Sequence, residues 1–355
     1  MKGLQDVLRS FLWLLFIGLL PFVGYSQQVE WSMDASGFFD NSEGDQTYRR
    51  TQTYAGMGIS PIVGMSWNNG QHRFGVGANL ITRWGNHEQR LTSSPLAYYQ
   101  YKGNSFNFLI GNFMRDKLLG EYPEYLIADT IRYYRPVIQG MTFQYHQGNG
   151  HAEAFLDWTS AISKKNREQF MAGISTRFRL GSLLVVGAEG YCYHYALRDD
   201  GPETEHIHDY LIAHPYIGIV FDRPTSAARL ELRTGALASF DRERTSEEGW
   251  HTPLGFLGEV HASYKHLSLK QTVYAGKNQQ HFGKAHLGQF YWGDSYTQAP
   301  FYSRTHLSYQ FIQNRFVSVG AGLIVNATRN GINHHQVVTL RLNFGSKDFR
   351  PLRIP

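Results

Sequence analysis

The stretch Thr53-Tyr54-Ala55-Gly56-Met57-Gly58-Ile59-Ser60-Pro61-Ile62-Val63-Gly64-Met65-Ser66-Trp67 decides the fold. Ala55, Met57, Ile59, Pro61, Val63, Met65 and Trp67 share one parity, while Gly56, Gly58, Ser60, Gly64 and Ser66 take the other; Ile62 breaks the pattern. Successive side chains of an extended strand point to opposite faces, so this segment has an apolar face and a small or polar face.

The same alternation recurs along the chain. Phe74, Val76, Ala78 and Leu80 oppose Arg73, Gly75, Gly77 and Asn79. Leu230, Leu232, Ala236 and Phe240 oppose Arg229, Glu231, Arg233 and Ser239, and near the end Val338, Leu340, Leu342 and Phe344 oppose Thr339, Arg341 and Asn343. Turn residues divide the chain into about sixteen strand candidates: 28–40, 52–67, 72–84, 95–102, 105–114, 136–147, 152–161, 168–180, 183–197, 209–222, 226–241, 253–264, 267–276, 300–311, 315–327 and 332–344. Many reach the ~9–11 residues a tilted strand needs to cross a bilayer, and no stretch beyond the N-terminus approaches the ~20 apolar residues of a membrane helix. A soluble sandwich also alternates. Here, however, the polar parity carries Arg, Glu and His, as a wet interior would. Trp31, Trp67, Trp84 and Trp158 fall near strand ends, where an interfacial girdle sits.

Connection lengths point the same way. Asn68-Asn69-Gly70-Gln71, Gly103-Asn104, Gly148-Asn149-Gly150, Gly181-Ser182, Arg223-Pro224-Thr225, Lys265-His266 and Gln313-Asn314 are short. The intervening connections are mostly long and polar, including 41–51, 85–94, 115–135, 198–208, 242–252 and 277–299. Short periplasmic turns facing long outer loops are the habit of membrane barrels. The sequence therefore predicts an all-β, antiparallel, up-and-down transmembrane barrel of about sixteen strands, within a range of about 14–18, over residues 27–344. Both chain ends would lie in the periplasm and the chain in a Gram-negative outer membrane.

The N-terminus reads as an export signal: Lys2 and Arg9 precede an apolar run from Phe11 to Val23, and Gly24-Tyr25-Ser26 supplies small residues for cleavage after Ser26. Residues 345–355 form a short periplasmic tail, and Phe344, Leu342 and Leu340 would act as an assembly signal from an internal position. Hydrophobic residues make up 42% and aromatics 15%, yet the mean hydropathy is −0.38, too polar for a helical membrane protein. The net charge of +5 is spread along the chain, which argues against a nucleic-acid partner. Cys192 is the one cysteine, so no intramolecular disulfide forms.

In turn style and in its aromatic, Gly-rich strands, the chain over residues 27–344 resembles bacterial outer-membrane porin-like barrels of the Bacteroidetes type. What the resemblance implies is passive passage of small polar solutes through a pore narrowed by an inward-folded loop. The segment 115–135 is the candidate for that loop. Leu118, Leu119, Leu126 and Ile127 have little reason to face water, and Arg115, Asp116, Glu121, Glu124, Asp129, Arg132 and Arg135 would edge the passage. On the wall, the inward parity collects Glu30, Asp34, Arg73, Arg83, Glu153, Asp157, Arg177 and Arg229 from the first eleven strands. Glu231, Arg233, Glu259, His261, Lys270, Arg304, His306 and Arg341 continue it, with Glu30 or Asp34 set to face Arg341 at closure. Such groups tolerate a barrel only beside water or paired with each other.

Other readings compete. His206, His208 and Asp209 form a short metal-ligand pattern, joined at a similar height by His334-His335. The aromatic loop 277–299, with His281, Phe282, His286, Phe290, Tyr291 and Trp292, would dock a glycan or partner protein, or pack as a lid. His261 beside Ser263, or His206 with Asp209, offers material for a barrel hydrolase. No nucleophile-and-base motif stands out, so the expectation is a protein without enzymatic activity or cofactor. Its partners would be outer-membrane lipid and lipopolysaccharide, small solutes and the barrel-assembly machinery.

Overall fold

The computed structural model describes residues 27–85, 91–202, 204–223, 228–244 and 249–346. The export signal and nearly all of the expected tail lie outside the described residues. Sixteen antiparallel strands close into one barrel. The first five are β1 (Gln28–Gly44), β2 (Gln52–Trp67), β3 (His72–Arg83), β4 (Leu91–Lys102) and β5 (Phe106–Met114). They are followed by β6 (Val137–Gln147), β7 (Gly150–Ser160), β8 (Gln169–Leu180), β9 (Leu184–Tyr195), β10 (His208–Arg223) and β11 (Ala228–Glu243). The last five are β12 (Leu254–Tyr264), β13 (Leu267–Gly276), β14 (Phe301–Gln313), β15 (Val317–Thr328) and β16 (Ile332–Gly345). Each strand pairs with its sequence neighbours, and β1 pairs with β16 from Ser32↔Gly345 to Gly44↔Asn333. Closure removes both sheet edges, so every strand satisfies its backbone polar groups on two sides.

The parity read from the sequence is the parity observed. Met57, Val63, Phe74, Ile110, Phe143, Ile174, Phe240, Phe256 and Leu323 point outward and are exposed, an apolar surface that suits a bilayer and not water. Ile62, the exception in β2, points inward and is buried in the interior cluster. At the Asn68-Asn69-Gly70 turn, all three residues have positive φ (52°, 54° and 78°), the left-handed backbone that a tight hairpin requires and that Asn and Gly tolerate.

The short turns and both ends of the barrel chain gather at one rim; the long connections gather at the other. Two of the long connections turn into the barrel. Residues 115–135 include a 3-10 turn at Arg115–Lys117 and a short helix α1 (Asp129–Tyr134), and residues 277–299 include a one-turn helix α2 (Gly283–His286). Leu118, Tyr122, Tyr125, Leu126 and Ile127 from the first loop, with Phe290, Tyr291, Trp292 and Tyr296 from the second, join inward strand residues such as Leu96, Phe113, Tyr191 and Leu257 in one apolar cluster. The loops also bond each other: Ala128 N donates to Trp292 O at 2.8 Å and Asp294 N to Glu124 O at 2.9 Å. The core of this protein is thus the content of its lumen.

Candidate functional site

The barrel wall meets loop 115–135 through ion pairs. Leaving from β5 and β6, the loop crosses to the far wall, where Glu121 meets Arg233 at 3.0 Å, Glu124 meets Lys270 at 2.9 Å and Asp129 meets Arg304 at 2.9 Å. At its root, Arg115 Nη2 donates to Asp157 Oδ2 at 2.5 Å. Glu153 accepts from the backbone N–H groups of Leu119 (2.6 Å) and Gly120 (3.1 Å) and from the Tyr122 hydroxyl (2.9 Å). Arg132 ties the loop to itself through the carbonyls of Glu121 and Tyr122, Arg135 lies 5.4 Å over Trp292, and Asp116 is exposed. Burial drives the Glu121 carboxyl up, but Arg233 first, then Lys270 and His261, more than offset it and hold Glu121 down at about 2.

The wall residues expected to face inward do so, and most are paired. Arg177, Arg229 and Arg233 converge on Glu231 at 3.0, 2.7 and 2.5 Å. Arg73 pairs with Glu30 at 3.7 Å, Arg83 stacks 4.1 Å over Tyr134, and His261 sits 3.5 Å from Glu259. Lys270 stands opposite His306 in the register. At the seam, Arg341 stands opposite Ser36, one inward step from Asp34, while Glu30 is taken by Arg73 and Ser66.

The structure narrows two of the competing readings. His206, His208 and Asp209 do not form one ligand set. His206 and His208 each approach Glu243 at 3.5 Å, but neighbours on a strand face opposite sides, so buried His208 points into the barrel and Asp209 out of it. Phe290, Tyr291 and Trp292 are fully buried, so these rings of loop 277–299 are not a docking surface.

Asp209 instead belongs to a constellation that single-residue spacing hides. On the outward face near the long-loop rim, register aligns Trp158 with Phe170, Phe170 with His194, His194 with Asp209 and Asp209 with Arg242. These five residues from β7, β8, β9, β10 and β11 form one row across the wall. Trp158 stacks on Phe170 at 5.4 Å between centroids, and Phe170 approaches the His194 ring at 5.0 Å. His194 Nδ1 lies 2.9 Å from Asp209 Oδ1. Arg242 and Arg244 both donate to Asp209, at 2.9 Å and at 2.7 and 3.0 Å, and Arg242 lies 4.3 Å over Trp250. Further from the rim on the same face, Ile174, Leu211 and Phe240 are exposed apolar residues. A His–Asp pair braced by two guanidiniums thus borders the lipid-facing band. Its Asp orients the imidazole through Nδ1 and directs Nε2 away, the arrangement of a general base.

The fold is that of porin-like outer-membrane barrels. OpdK of Pseudomonas aeruginosa, solved with vanillate, superposes with a TM-score of 0.52 at 8% identity, covering 90% of this chain and 99% of that one. The anion-selective porin of Comamonas acidovorans gives 0.51 at 10% identity, covering 90% and 100%. OccK8 (OprE) of Pseudomonas aeruginosa gives 0.50 at 10% identity, covering 90% and 98%. No curated protein matches the sequence. The family model described as "Lipid A 3'-O-deacylase-type" matches residues 24–345. A deacylase is an enzyme, so this match overturns the expectation of a protein without enzymatic activity: the chain belongs to the lipid A 3'-O-deacylase-type family.

Proposed function

We propose that this chain is an outer-membrane ester hydrolase that removes an ester-linked acyl chain from lipid A, working on its outward face with the long-loop rim at the cell exterior. The observation that carries this reading is the His194–Asp209 pair on the lipid-facing wall, flanked by Arg242 and Arg244. Charged groups on that face of a barrel are costly toward the midplane and cheap only near an interface, so their concentration in one row there calls for a ligand. Lipid A brings phosphates and acyl esters to that depth. The guanidiniums can hold its anionic groups by charge-assisted hydrogen bonds, and the buried Nε of Arg242 has no hydrogen-bond partner. Trp158, Phe170 and Trp250 supply apolar and ring contact beside them.

In the proposed step, His194 Nε2 takes a proton from water as the water oxygen attacks the ester carbonyl carbon. The carbonyl oxygen becomes an oxyanion near the arginines. The carbon–alkoxide bond then breaks and the proton passes to the departing sugar oxygen, giving a free fatty acid and a deacylated glycolipid. Asp209 keeps the imidazole in the competent tautomer and offsets its positive charge. Mass spectrometry of lipid A from vesicles incubated with the refolded protein should report loss of one acyl chain. His194→Gln should slow that loss by roughly a hundredfold or more. Lipid A left whole by the wild type sinks the reading, and full activity in His194→Gln moves the site elsewhere.

A passive channel past loop 115–135 is the second reading, favoured by the fold relatives and by the loop's position inside the barrel. Against it stands the pairing of the loop's carboxylates with the cations opposite, which leaves few charges to line a passage.

A further inference from the structure

Below loop 115–135 four donors converge on one point. Glu189 of β9, His214 of β10 and Glu259 of β12 place one ligand atom each within 4.8 Å of one another, and all three residues are buried. The Tyr125 hydroxyl, delivered by the loop, lies 2.6 Å from Glu189 Oε1, 2.7 Å from His214 Nδ1 and 3.5 Å from Glu259 Oε2. His214 Nδ1 and Glu189 Oε1 are 3.6 Å apart. The 3.5 and 3.6 Å edges match the tetrahedron of ligands at about 2.0–2.2 Å from a central ion, whose edges are about 3.3–3.6 Å, while the two hydrogen-bond edges to the Tyr125 hydroxyl would open by about 0.6 Å on metal binding.

Two carboxylates, a phenol and an imidazole share this buried point. The Tyr125 hydroxyl donates to Glu189 or Glu259, and it accepts from His214 Nδ1 or donates to it according to the tautomer of the ring. Glu189 meets Tyr125 and His214, and among the described residues no Lys or Arg pairs with it. The neighbouring cations are taken: Arg233 by Glu121 and Glu231, and Lys270 by Glu124. Glu259 Oε1 lies 3.5 Å from His261 Nε2, and His214 Nε2 is buried without a hydrogen-bond partner. A buried carboxylate is costly unless a cation or proton answers it. Gly235 of β11 makes the convergence possible, since a Cβ there would stand 2.9 Å from His214 Nε2 and 2.0 Å from the Pro215 carbonyl.

We infer that Glu189, His214 and Glu259, closed by Tyr125, bind one divalent transition-metal ion, which clamps loop 115–135 to the wall. One imidazole with oxygen donors suits zinc, or manganese and iron. Calcium wants six to eight oxygens and magnesium retains several waters, which fits a buried set of four donors poorly. The site is separate from the outward-facing His194 row and from His206 and His208, so it stands or falls independently of the proposed hydrolase.

The test is zinc binding to the full mature chain, refolded with a chelator and returned to metal-free detergent buffer. Bound zinc is measured by elemental analysis and by competition with a chromophoric chelator, with heat-modifiable gel migration as the check of folding. One tightly held zinc per chain is expected, and cobalt in its place should give the intense visible d–d absorption of four-coordination. Glu259→Gln, which keeps shape, and His214→Ala should weaken zinc binding by roughly a hundredfold or more, and Tyr125→Phe by roughly tenfold, with Glu189→Gln as the second isosteric variant should His214→Ala fail to fold. No uptake by the folded wild type would mean that a shared proton balances the cluster, overturning the proposal. Uptake unchanged in folded Glu259→Gln and Glu189→Gln would assign the metal to surface histidines and overturn it equally.

Discussion

Arg233 is nearly sealed from solvent and holds two carboxylates at once, Glu231 at 2.5 Å and Glu121 at 3.0 Å. Arg233→Gln leaves Glu231 with Arg177 and Arg229 but strips Glu121 of its cation. Because the Glu121 side chain is about half exposed, the expected cost is about 1 kcal/mol, measured by urea unfolding of the folded barrel in detergent. Glu121 also sets a pH dependence. Its carboxyl, about 2 when folded against an ordinary 4.5, is depressed, so its contribution is whole above pH 4.5 and drains away as pH falls toward 2. Acid should therefore release the loop: conductance across a planar bilayer is expected to stay flat from neutrality to about pH 4.5 and to rise below it, and a flat trace down to pH 2 would count against this pin. At the same scale, Asp209 shows what a sequence hides. The residue stood out beside His206 and His208, but its partner is His194, fifteen residues away and adjacent only because β9 and β10 pair in one register. A shift of one residue in that register would turn His194 or Asp209 to the other face. Glu189 and His214 carried no spacing signal for the same reason.

Among the elements, the strands were largely legible and the loop contacts were not. Period-two patterning marks a strand wherever one face meets lipid and the other meets a polar interior, and the sixteen expected segments match β1 to β16 in order. Bounds differ mainly at the long-loop rim: β1 runs on to Gly44 and β4 begins at Leu91, because paired backbone continues past the apolar band into polar sequence. The inward course of loop 115–135 was readable from its stranded leucines. The burial of loop 277–299 beside it was not, since aromatic rings look the same in a lid, a plug and a docking surface. Removing residues 118–130 takes out the Glu121, Glu124 and Asp129 pairs and the apolar anchors together, yet touches no strand pairing. The barrel should remain heat-modifiable on gels while single-channel conductance rises severalfold. An unchanged conductance would mean that loop 277–299 closes the lumen alone.

At the scale of the whole molecule, the direction of insertion decides whether the His194 row can meet outer-leaflet lipid. In a Cys192→Ser background, Thr47→Cys or Asn330→Cys marks the long-loop rim and Asn104→Cys marks the other, all three positions being exposed. On intact cells a membrane-impermeant maleimide should label the first two and spare the third, and the reverse pattern would put the hydrolase proposal on the wrong leaflet.

The pairing of β1 with β16 has a consequence in time as well as in space. The seam joins residues about three hundred positions apart, so the longest-range contacts of the chain are also the ones that complete it. Chain-closure entropy must be met before such contacts repay it, which makes folding of this topology slow. Without β16 paired to β1 the sheet is an open ribbon, and the two loops have no closed chamber to enter. Their ion pairs link β5 and β6 to β11, β13 and β14, walls that face each other only once the ribbon has curved round. The charged residues inside therefore act as a latch on the finished cylinder: they engage late, favour the closed ring over the open ribbon, and raise the barrier to its reopening.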